Sequence, residues 1–145
     1  KHDATQKDIE SASETAQALD FINQKPDKFN EFLAEGGSNM SGGQKQRLSI
    51  ARAIVKNPDI YIFDDSFSAL DYQTDVKLRT ALNSITKEST VLIVAQRVST
   101  IMNADKILVL NEGNVIAEGT HRELLKTCDI YYDIASSQLT KEELE

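Results

Sequence analysis

Three short runs of consecutive apolar residues constrain the fold of this chain more than any other feature. They are residues 60–63 (Ile-Tyr-Ile-Phe), 91–94 (Val-Leu-Ile-Val) and 107–110 (Ile-Leu-Val-Leu). Such runs are typical of parallel strands buried on both faces of a sheet. A helical stretch from Asp71 to Lys87 separates the first two runs and is long enough for a right-handed crossover. The sequence therefore predicts an α/β fold with a core of parallel strands after Pro58.

The residues before Pro58 carry only helical patterns. We predict one helix from about Gln6 to Asn23, a short one near Phe29 to Leu33, a loop at residues 35–39 and a further helix from Ser41 to Lys56. The chain is therefore expected to divide into a helical subdomain at residues 1–57 and an α/β part at residues 58–145.

The last third of the sequence predicts a hairpin followed by a helix and a frayed tail at residues 141–145. Gly113, in the turn at residues 111–114, is free to take a positive φ. Thr120 and Glu123 have capping-box spacing, and a single helix follows with Leu124, Cys128, Tyr131 and Ala135 on one face. His121, in the first turn of that helix, is expected to lie at the surface.

Charge and hydropathy exclude two classes of function for these residues. A net charge of −7 argues against a broad nucleic-acid surface, because phosphate backbones require a basic patch. No apolar run exceeds the six residues 90–95, so a membrane role would come through a partner or through further sequence. The single Cys128 excludes an internal disulfide and favours a reducing compartment.

Polar residues follow the first two apolar runs. Asp64 and Asp65 end the first, and Ala95 and Gln96 end the second. If the two strands are neighbours, these side chains converge at the edge of the sheet where α/β folds bind ligands. A carboxylate there is suited to Mg²⁺, which prefers oxygen ligands. The alternative is that the two aspartates only cap the loop at residues 66–68.

The helix that begins at Ser41 has an unusual first turn. Ser41 and Gln44 match a capping box, so the simplest interpretation is a well-formed helix start. Gly42 and Gly43 fit that interpretation poorly, because glycine destabilises a helix. The two glycines expose backbone N–H groups at the positive end of a helix dipole, which favours a phosphate site.

Several ordered motifs resemble those of ATP-binding cassette (ABC) transporter ATPases of the exporter type. Residues 39–47 (Asn-Met-Ser-Gly-Gly-Gln-Lys-Gln-Arg) resemble the signature motif, residues 60–64 the Walker B strand, and residues 68–71 (Ser-Ala-Leu-Asp) the D-loop. Residues 94–101 are similar to the exporter switch loop, and residues 112–121 to the hairpin and last helix of an exporter nucleotide-binding domain. The resemblance extends over nearly the whole chain and implies the P-loop NTPase-type fold of the ABC ATPases.

The resemblance also implies a site shared between two domains. In this family each ATP is sandwiched between one domain's P-loop and the other's signature helix. The ATP-binding residues carried over are Ser41, Gly42, Gly43, Gln44 and Asp71, of which Asp71 would lie at the dimer seam. Asp64 would orient Mg²⁺. Residues 35–38 stand where exporters contact their transmembrane domain, although a plain loop between helices is the alternative.

Two positions depart from the family pattern. The residue after Asp64 is normally a glutamate acting as general base, but here it is Asp65, and the switch position is Gln96 instead of histidine. A carboxylate about 1 Å out of place can reduce a rate roughly 10²-fold. Glutamine cannot gain a proton near neutral pH as imidazole can. Asp65 and Gln96, the predicted catalytic positions, thus resemble those of the degenerate subunit of a heterodimeric exporter.

The sequence contains no Gly-x-x-x-x-Gly-Lys-Ser/Thr loop, since Gly43 stands where the motif that starts at Gly37 requires lysine. We therefore expect a C-terminal piece of a nucleotide-binding domain, inactive alone, that acts at the cytoplasmic face of the cell membrane with a transmembrane domain and a second nucleotide-binding domain. A non-transport ABC ATPase of chromosome maintenance or DNA repair is the alternative, although the heptad-patterned helices of those proteins are not seen. A third hypothesis is an interaction module that uses no nucleotide.

Overall fold

The computed structural model describes residues 1–144, which form two compact units, one at residues 1–94 and one from residue 95 onward. The boundary predicted at residue 57 lies inside the first unit, and the division into a helical and an α/β part stays a prediction. Glu145, the last residue of the predicted tail, lies outside the described residues.

The first unit contains five helical segments before its first strand. They are α1 (Gln6–Thr15), α2 (Leu19–Asn23), two single turns of 3-10 helix (Lys28–Asn30 and Glu35–Gly37) and α3 (Gly42–Lys56). Strand β1 (Ile60–Asp64), helix α4 (Tyr72–Ile85) and strand β2 (Thr90–Val94) complete the unit. The predicted α3 is confirmed, with Ser41 as its N-cap and a left-handed Asn57 (φ 48°) as its C-cap.

The single helix predicted from Gln6 to Asn23 is wrong, because the chain breaks into α1 and α2. Gln17 adopts a left-handed backbone conformation, with φ of 56°. Its carbonyl accepts a 2.6 Å hydrogen bond from the guanidinium of Arg47, which also lies 4.7 Å from the centre of the Phe21 ring. Burial lowers the pKa of Arg47, while the nearby carboxylates of Asp71 and Asp20 oppose that shift. These contacts, distant in sequence, override the helical periodicity.

The short helix predicted near Phe29 to Leu33 is reduced to the 3-10 turn at Lys28–Asn30. Beyond it the chain is extended, and the Phe32 side chain is 80% exposed. The Asn39 side chain donates to the Phe32 carbonyl (2.9 Å) and accepts from the Ala34 N–H (3.2 Å), which holds this segment in its extended form.

The core of the first unit lies where α1, α3 and α4 pack together with one face of β1. Its buried residues include small ones on and just after α1, branched ones on α3 and α4, and aromatic ones on and after β1 (Ala12, Ala16, Ile50, Leu78, Leu82, Tyr61, Phe63 and Phe67). The Phe63 and Phe67 rings are 5.4 Å apart, so the chain after β1 turns back onto the core. Burial raises the pKa of Tyr61.

Strands β1 and β2 pair in parallel, as predicted, with Ile60 opposite Thr90 and Asp64 opposite Val94. The prediction that these strands are buried on both faces of the sheet is wrong for the described residues. Tyr61 and Phe63 are buried, but Ile60 and Ile62, on the opposite face, are 61% and 67% exposed. No element within residues 1–94 covers that second face of β1.

The second unit begins with helix α5 (Val98–Ile101) and contains strands β3 (Ile107–Asn111) and β4 (Asn114–Gly119). The third apolar run is not a parallel strand, because β3 pairs antiparallel with β4 in a separate sheet. The predicted hairpin turn is confirmed. Both turn residues, Glu112 (φ 47°) and Gly113 (φ 77°), are left-handed, as a two-residue turn of type I′ requires.

The single helix predicted at the end of the chain is two helices, α6 (His121–Thr127) and α7 (Asp129–Ser136), because Cys128 is extended between them. Leu124, Cys128, Tyr131 and Ala135 are nevertheless all buried, as their spacing predicted. The prediction that His121 lies at the surface is wrong. Its ring is only 7% exposed and its Nδ1 lies 2.7 Å from the Tyr131 hydroxyl, because α7 folds back beside the start of α6. Burial raises the pKa of Tyr131.

Candidate functional site

The N-terminal end of α3 forms the reciprocal capping box that its sequence predicted. The Ser41 hydroxyl accepts from the Gln44 backbone N–H at 3.2 Å, and the Gln44 side-chain oxygen accepts from the Ser41 N–H at 3.0 Å. Both side chains therefore stabilise the helix start, where Ser41 is exposed and Gln44 is half-buried. The positive end of the α3 dipole and the first backbone N–H groups of the helix lie beside them, an arrangement suited to an anion.

The two glycines of this turn differ in their surroundings. A Cβ atom at Gly42 would lie 3.6 Å from the Ala69 Cβ, which is an ordinary contact. A Cβ atom at Gly43 would lie only 2.9 Å from the Ala69 carbonyl oxygen, too close without a backbone shift. Gly43 is thus required by packing within this chain, a reason that the sequence did not reveal. Packing within the chain does not require a glycine at position 42, so close approach of a ligand could explain Gly42.

The two aspartates lie at the carboxyl end of β1, as predicted. Asp65 follows the strand in a left-handed conformation (φ 46°), and its N–H donates to the Val94 carbonyl at 3.0 Å. The Asp65 carboxylate accepts from the Ser68 hydroxyl at 3.0 Å, and the Asp64 carbonyl accepts from Ser66 at 3.3 Å. The loop-capping alternative thus has direct support, and both aspartates are also exposed at the edge where a ligand would bind.

Carboxylate oxygens are suitable ligands for Mg²⁺, so the donor chemistry at Asp64 fits this ion. Within residues 1–144, however, no group of three or more histidine, cysteine, aspartate or glutamate side chains is arranged to hold a metal. Mg²⁺ commonly uses one or two carboxylates together with substrate phosphates and waters. Asp64 is therefore suited to a metal that arrives with a nucleotide, not to one held by protein groups alone.

Gln96 belongs to the second unit, whereas Asp64 and Asp65 belong to the first. In its own unit, the Gln96 carbonyl accepts from the Gln138 side chain at 3.0 Å, and the Gln138 side-chain oxygen accepts from the Val98 N–H at 2.9 Å. Gln138 thereby fixes the backbone on both sides of Arg97. The predicted convergence of Gln96 with the aspartates stays a prediction.

Asp71 is the N-cap of α4. Its two carboxylate oxygens accept from the Thr74 backbone N–H at 2.9 Å and the Thr74 hydroxyl at 2.7 Å. These hydrogen bonds, the backbone one first, lower the pKa of Asp71. The residue therefore has a local structural role besides any role at a dimer seam.

Gln46 was not singled out in the sequence, yet its side chain joins α3 to the loop after β1. Its amide nitrogen donates to the Asp65 carbonyl and the Ser68 hydroxyl, each at 3.1 Å, and its amide oxygen accepts from the Ala69 N–H at 3.0 Å. These partners are 19 to 23 residues away in sequence. No local pattern could have identified them, because a glutamine within a helix is ordinarily read as an exposed helix former.

Known proteins match this chain closely. A family profile described as "ABC transporter" matches residues 1–68, which include the start of α3 and both aspartates. Mouse "ATP-binding cassette sub-family B member 5" is 46% identical over 133 residues, covering 92% of this chain and 11% of the relative. "Multidrug resistance protein homolog 65" of Drosophila melanogaster is 42% identical over 134 residues, covering 92% of this chain and 10% of the relative. The solved structure of a bacterial Atm1-family ABC exporter with ATP bound superimposes with a TM-score of 0.91 at 33% identity, covering 97% of this chain and 25% of that one.

The chain belongs to the ABC transporter ATP-binding family.

The family assignment confirms the resemblance drawn from the sequence motifs and the α/β fold class of the ABC ATPases. The chain spans about a tenth of the length of the animal relatives and a quarter of that of the exporter structure. Among the helices of residues 1–144, none combines the length and apolar character that crossing a bilayer requires.

Proposed function

We propose that this chain forms part of the nucleotide-binding domain of an ABC exporter that uses ATP hydrolysis to move a substrate across the cell membrane. The observation that carries the proposal is the TM-score of 0.91 to an ATP-bound exporter over 97% of the chain. One relative is named as a multidrug-resistance protein homolog and the matching solved structure as an ABC exporter, which favours this function over a non-transport ABC ATPase and over a module that uses no nucleotide.

The domain is proposed to act at the cytoplasmic face of the membrane, bound to a transmembrane domain and paired with a second nucleotide-binding domain. Residues 1–57 would form the helical subdomain and residues 58–145 the C-terminal part of the ATPase core. The capped start of α3 supports the roles carried over by resemblance. Ser41, Gly43 and Gln44 would contact the γ-phosphate of ATP bound by the partner domain, with Gly42 beside them in the same turn, and Gly43 would also keep the helix close to Ala69.

In this chain's own nucleotide site, Asp64 would hold Mg²⁺ that neutralises charge on the phosphates. Asp65 would stand where a carboxylate orients the water that attacks the γ-phosphate and releases ADP and phosphate. Its carboxylate is one methylene shorter than that of glutamate, and it is already engaged by the Ser68 hydroxyl at 3.0 Å. Together with Gln96 in place of an ionisable histidine, this supports a slow, degenerate site, whereas the intact signature helix completes the faster site of a heterodimer.

The test is steady-state ATP hydrolysis by the full-length protein reconstituted with its partner domain. Ser41→Ala should abolish most turnover, because it removes a contact to the partner's ATP, and Asp65→Asn should reduce turnover only modestly. Ser41→Ala also removes a helix cap, worth about 1 kcal/mol. Thr5→Ala is the matched control, since Thr5 caps a different helix, α1, with the same reciprocal box. If Asp65→Asn silences the pair as fully as Ser41→Ala, Asp65 is a working base and the degenerate-site proposal is wrong.

A further inference from the structure

The loop after β1 is held against α3 by one side chain. Gln46 makes three hydrogen bonds that reach the Asp65 carbonyl, the Ser68 hydroxyl and the Ala69 N–H. Two of them use the amide as donor and one uses it as acceptor. The glutamine amide supplies both functions from one planar, uncharged group.

The contact continues from Gln46 to the Asp65 carboxylate. The Ser68 hydroxyl accepts from Gln46 and lies 3.0 Å from a carboxylate oxygen of Asp65, to which it donates. The same hydroxyl also lies 3.1 Å from the Asp65 carbonyl oxygen, so its one proton serves two acceptors that both belong to Asp65. Gln46 therefore holds Asp65 directly at its carbonyl and contacts its carboxylate through Ser68.

A second contact joins the same two elements one turn earlier in α3. Gly43 approaches the Ala69 carbonyl so closely that a Cβ atom would lie 2.9 Å from it. The Ala69 N–H is held by Gln46, so this one peptide segment is fixed from both sides. The segment leads directly into Asp71, the N-cap of α4.

We propose that Gln46 is a positioning residue that makes the start of α3 and the loop at residues 65–71 move as one body. The inference rests on the proposed function, in which the start of α3 contacts the partner's ATP while Asp65 belongs to this chain's own site. A shift of the helix start on nucleotide binding would then reach Asp65 through Ser68, and Asp71 through the backbone. Gln46 touches no nucleotide itself and acts through these residues.

The test compares Gln46→Met with Gln24→Met in the full-length protein paired with its partner domain. Methionine keeps the length of the side chain and removes its hydrogen bonds, and Gln24 is an exposed glutamine at the end of α2. We expect Gln46→Met to lower kcat for Mg-ATP at least about tenfold while KM changes less than about twofold, because ATP contacts at the capping box are retained. Gln24→Met should leave both constants unchanged.

A double-mutant cycle and hydrogen exchange separate positioning from a general loss of structure. Ser68→Ala should lower kcat only modestly, because it releases only the slow site of Asp65, and the double variant should be no worse than Gln46→Met alone, since both break one chain of contacts. Backbone exchange at residues 65–71 should accelerate about tenfold in Gln46→Met, with exchange in the rest of α3 unchanged.

Additive losses in the cycle, a raised KM with unchanged kcat, or unchanged exchange at residues 65–71 would each overturn the inference. If the unaltered pair hydrolyses no ATP, the proposed function fails. The exchange measurement, which needs no turnover, then decides alone whether Gln46 holds the loop.

Discussion

Replacing Gly42 and Gly43 separately by alanine should change stability in opposite directions. Gly42 occupies the first position of α3, and a methyl there would meet only the Ala69 Cβ at 3.6 Å. Alanine favours a helix over glycine by up to about 1 kcal/mol in a helix interior and by less at the first position. Gly42→Ala should therefore stabilise the chain by about 0.3–0.8 kcal/mol.

Gly43→Ala should destabilise the chain. Its Cβ would lie 2.9 Å from the Ala69 carbonyl oxygen, whereas ordinary contacts begin at 3.4 Å, so backbone must move by about half an ångström. The Ala69 segment cannot move freely, because Gln46 holds its N–H. Overpacking of this kind typically costs about 1–3 kcal/mol, which exceeds the gain in helix propensity.

Urea denaturation of the two variants, followed by far-ultraviolet circular dichroism, measures these changes in the free energy of unfolding. Turnover of the full-length pair gives the second measurement. Gly42→Ala should lower turnover by about tenfold or more despite its added stability, because a methyl would block a phosphate from the helix N–H groups. Equal stability of the two variants would refute the packing argument, and full activity of Gly42→Ala would refute the phosphate role of that glycine.

Three further outcomes are expected. The 145-residue chain alone should hydrolyse no ATP and bind it with a Kd of about 1 mM or weaker by calorimetry, because it has no Gly-x-x-x-x-Gly-Lys loop; micromolar binding would contradict this. Arg79→Met should lower the free energy of unfolding by roughly 2–4 kcal/mol in the same urea experiment, because it leaves the buried Asp75, 2.7 Å away, without its counter-ion. The control Lys77→Met, on the exposed face of α4, should change that free energy by less than about 0.5 kcal/mol. Asp71→Ala should lower the thermal midpoint at pH 7. Hydrogen bonds from Thr74 lower the pKa of Asp71 below its unfolded value of about 3.9. The difference in thermal midpoint from the unaltered chain should therefore persist down to about pH 5 and vanish as the pH falls through the folded pKa. A difference that is the same at pH 2 and pH 7 would show that the Asp71 carboxylate is not the source.

The elements that were predictable from sequence are those specified by neighbouring residues. The capping boxes at Ser41 and Thr120, the turn at Gly113 and the extent of α3 all follow from spacings of a few residues, and each is present in the structure. Parallel pairing of β1 and β2 also followed, because a helix of crossover length separates them.

The errors arose where contacts distant in sequence override a local pattern. Arg47 reaches Gln17 across 30 residues and stabilises the break between α1 and α2. His121 is buried because α7 folds back to place the Tyr131 hydroxyl beside it. The third apolar run is a different kind of error: it shares the composition of the first two, but the hairpin predicted directly after it pairs it antiparallel with β4. Local composition cannot predict such arrangements, because each depends on which other element packs or pairs with the segment.

At Asp65, the sequence and the structure each contribute to the interpretation. The sequence indicated that its carboxylate is one methylene shorter than the glutamate of the family pattern, and the structure adds a left-handed backbone and a 3.0 Å hydrogen bond from Ser68. An aspartate tolerates the left-handed region better than most residues, because its short side chain can accept hydrogen bonds locally. The same local bond draws the carboxylate toward its own loop. A base that must reach a water on a bound phosphate is then limited both by length and by direction, which strengthens the case for a slow site beyond what the substitution alone supports.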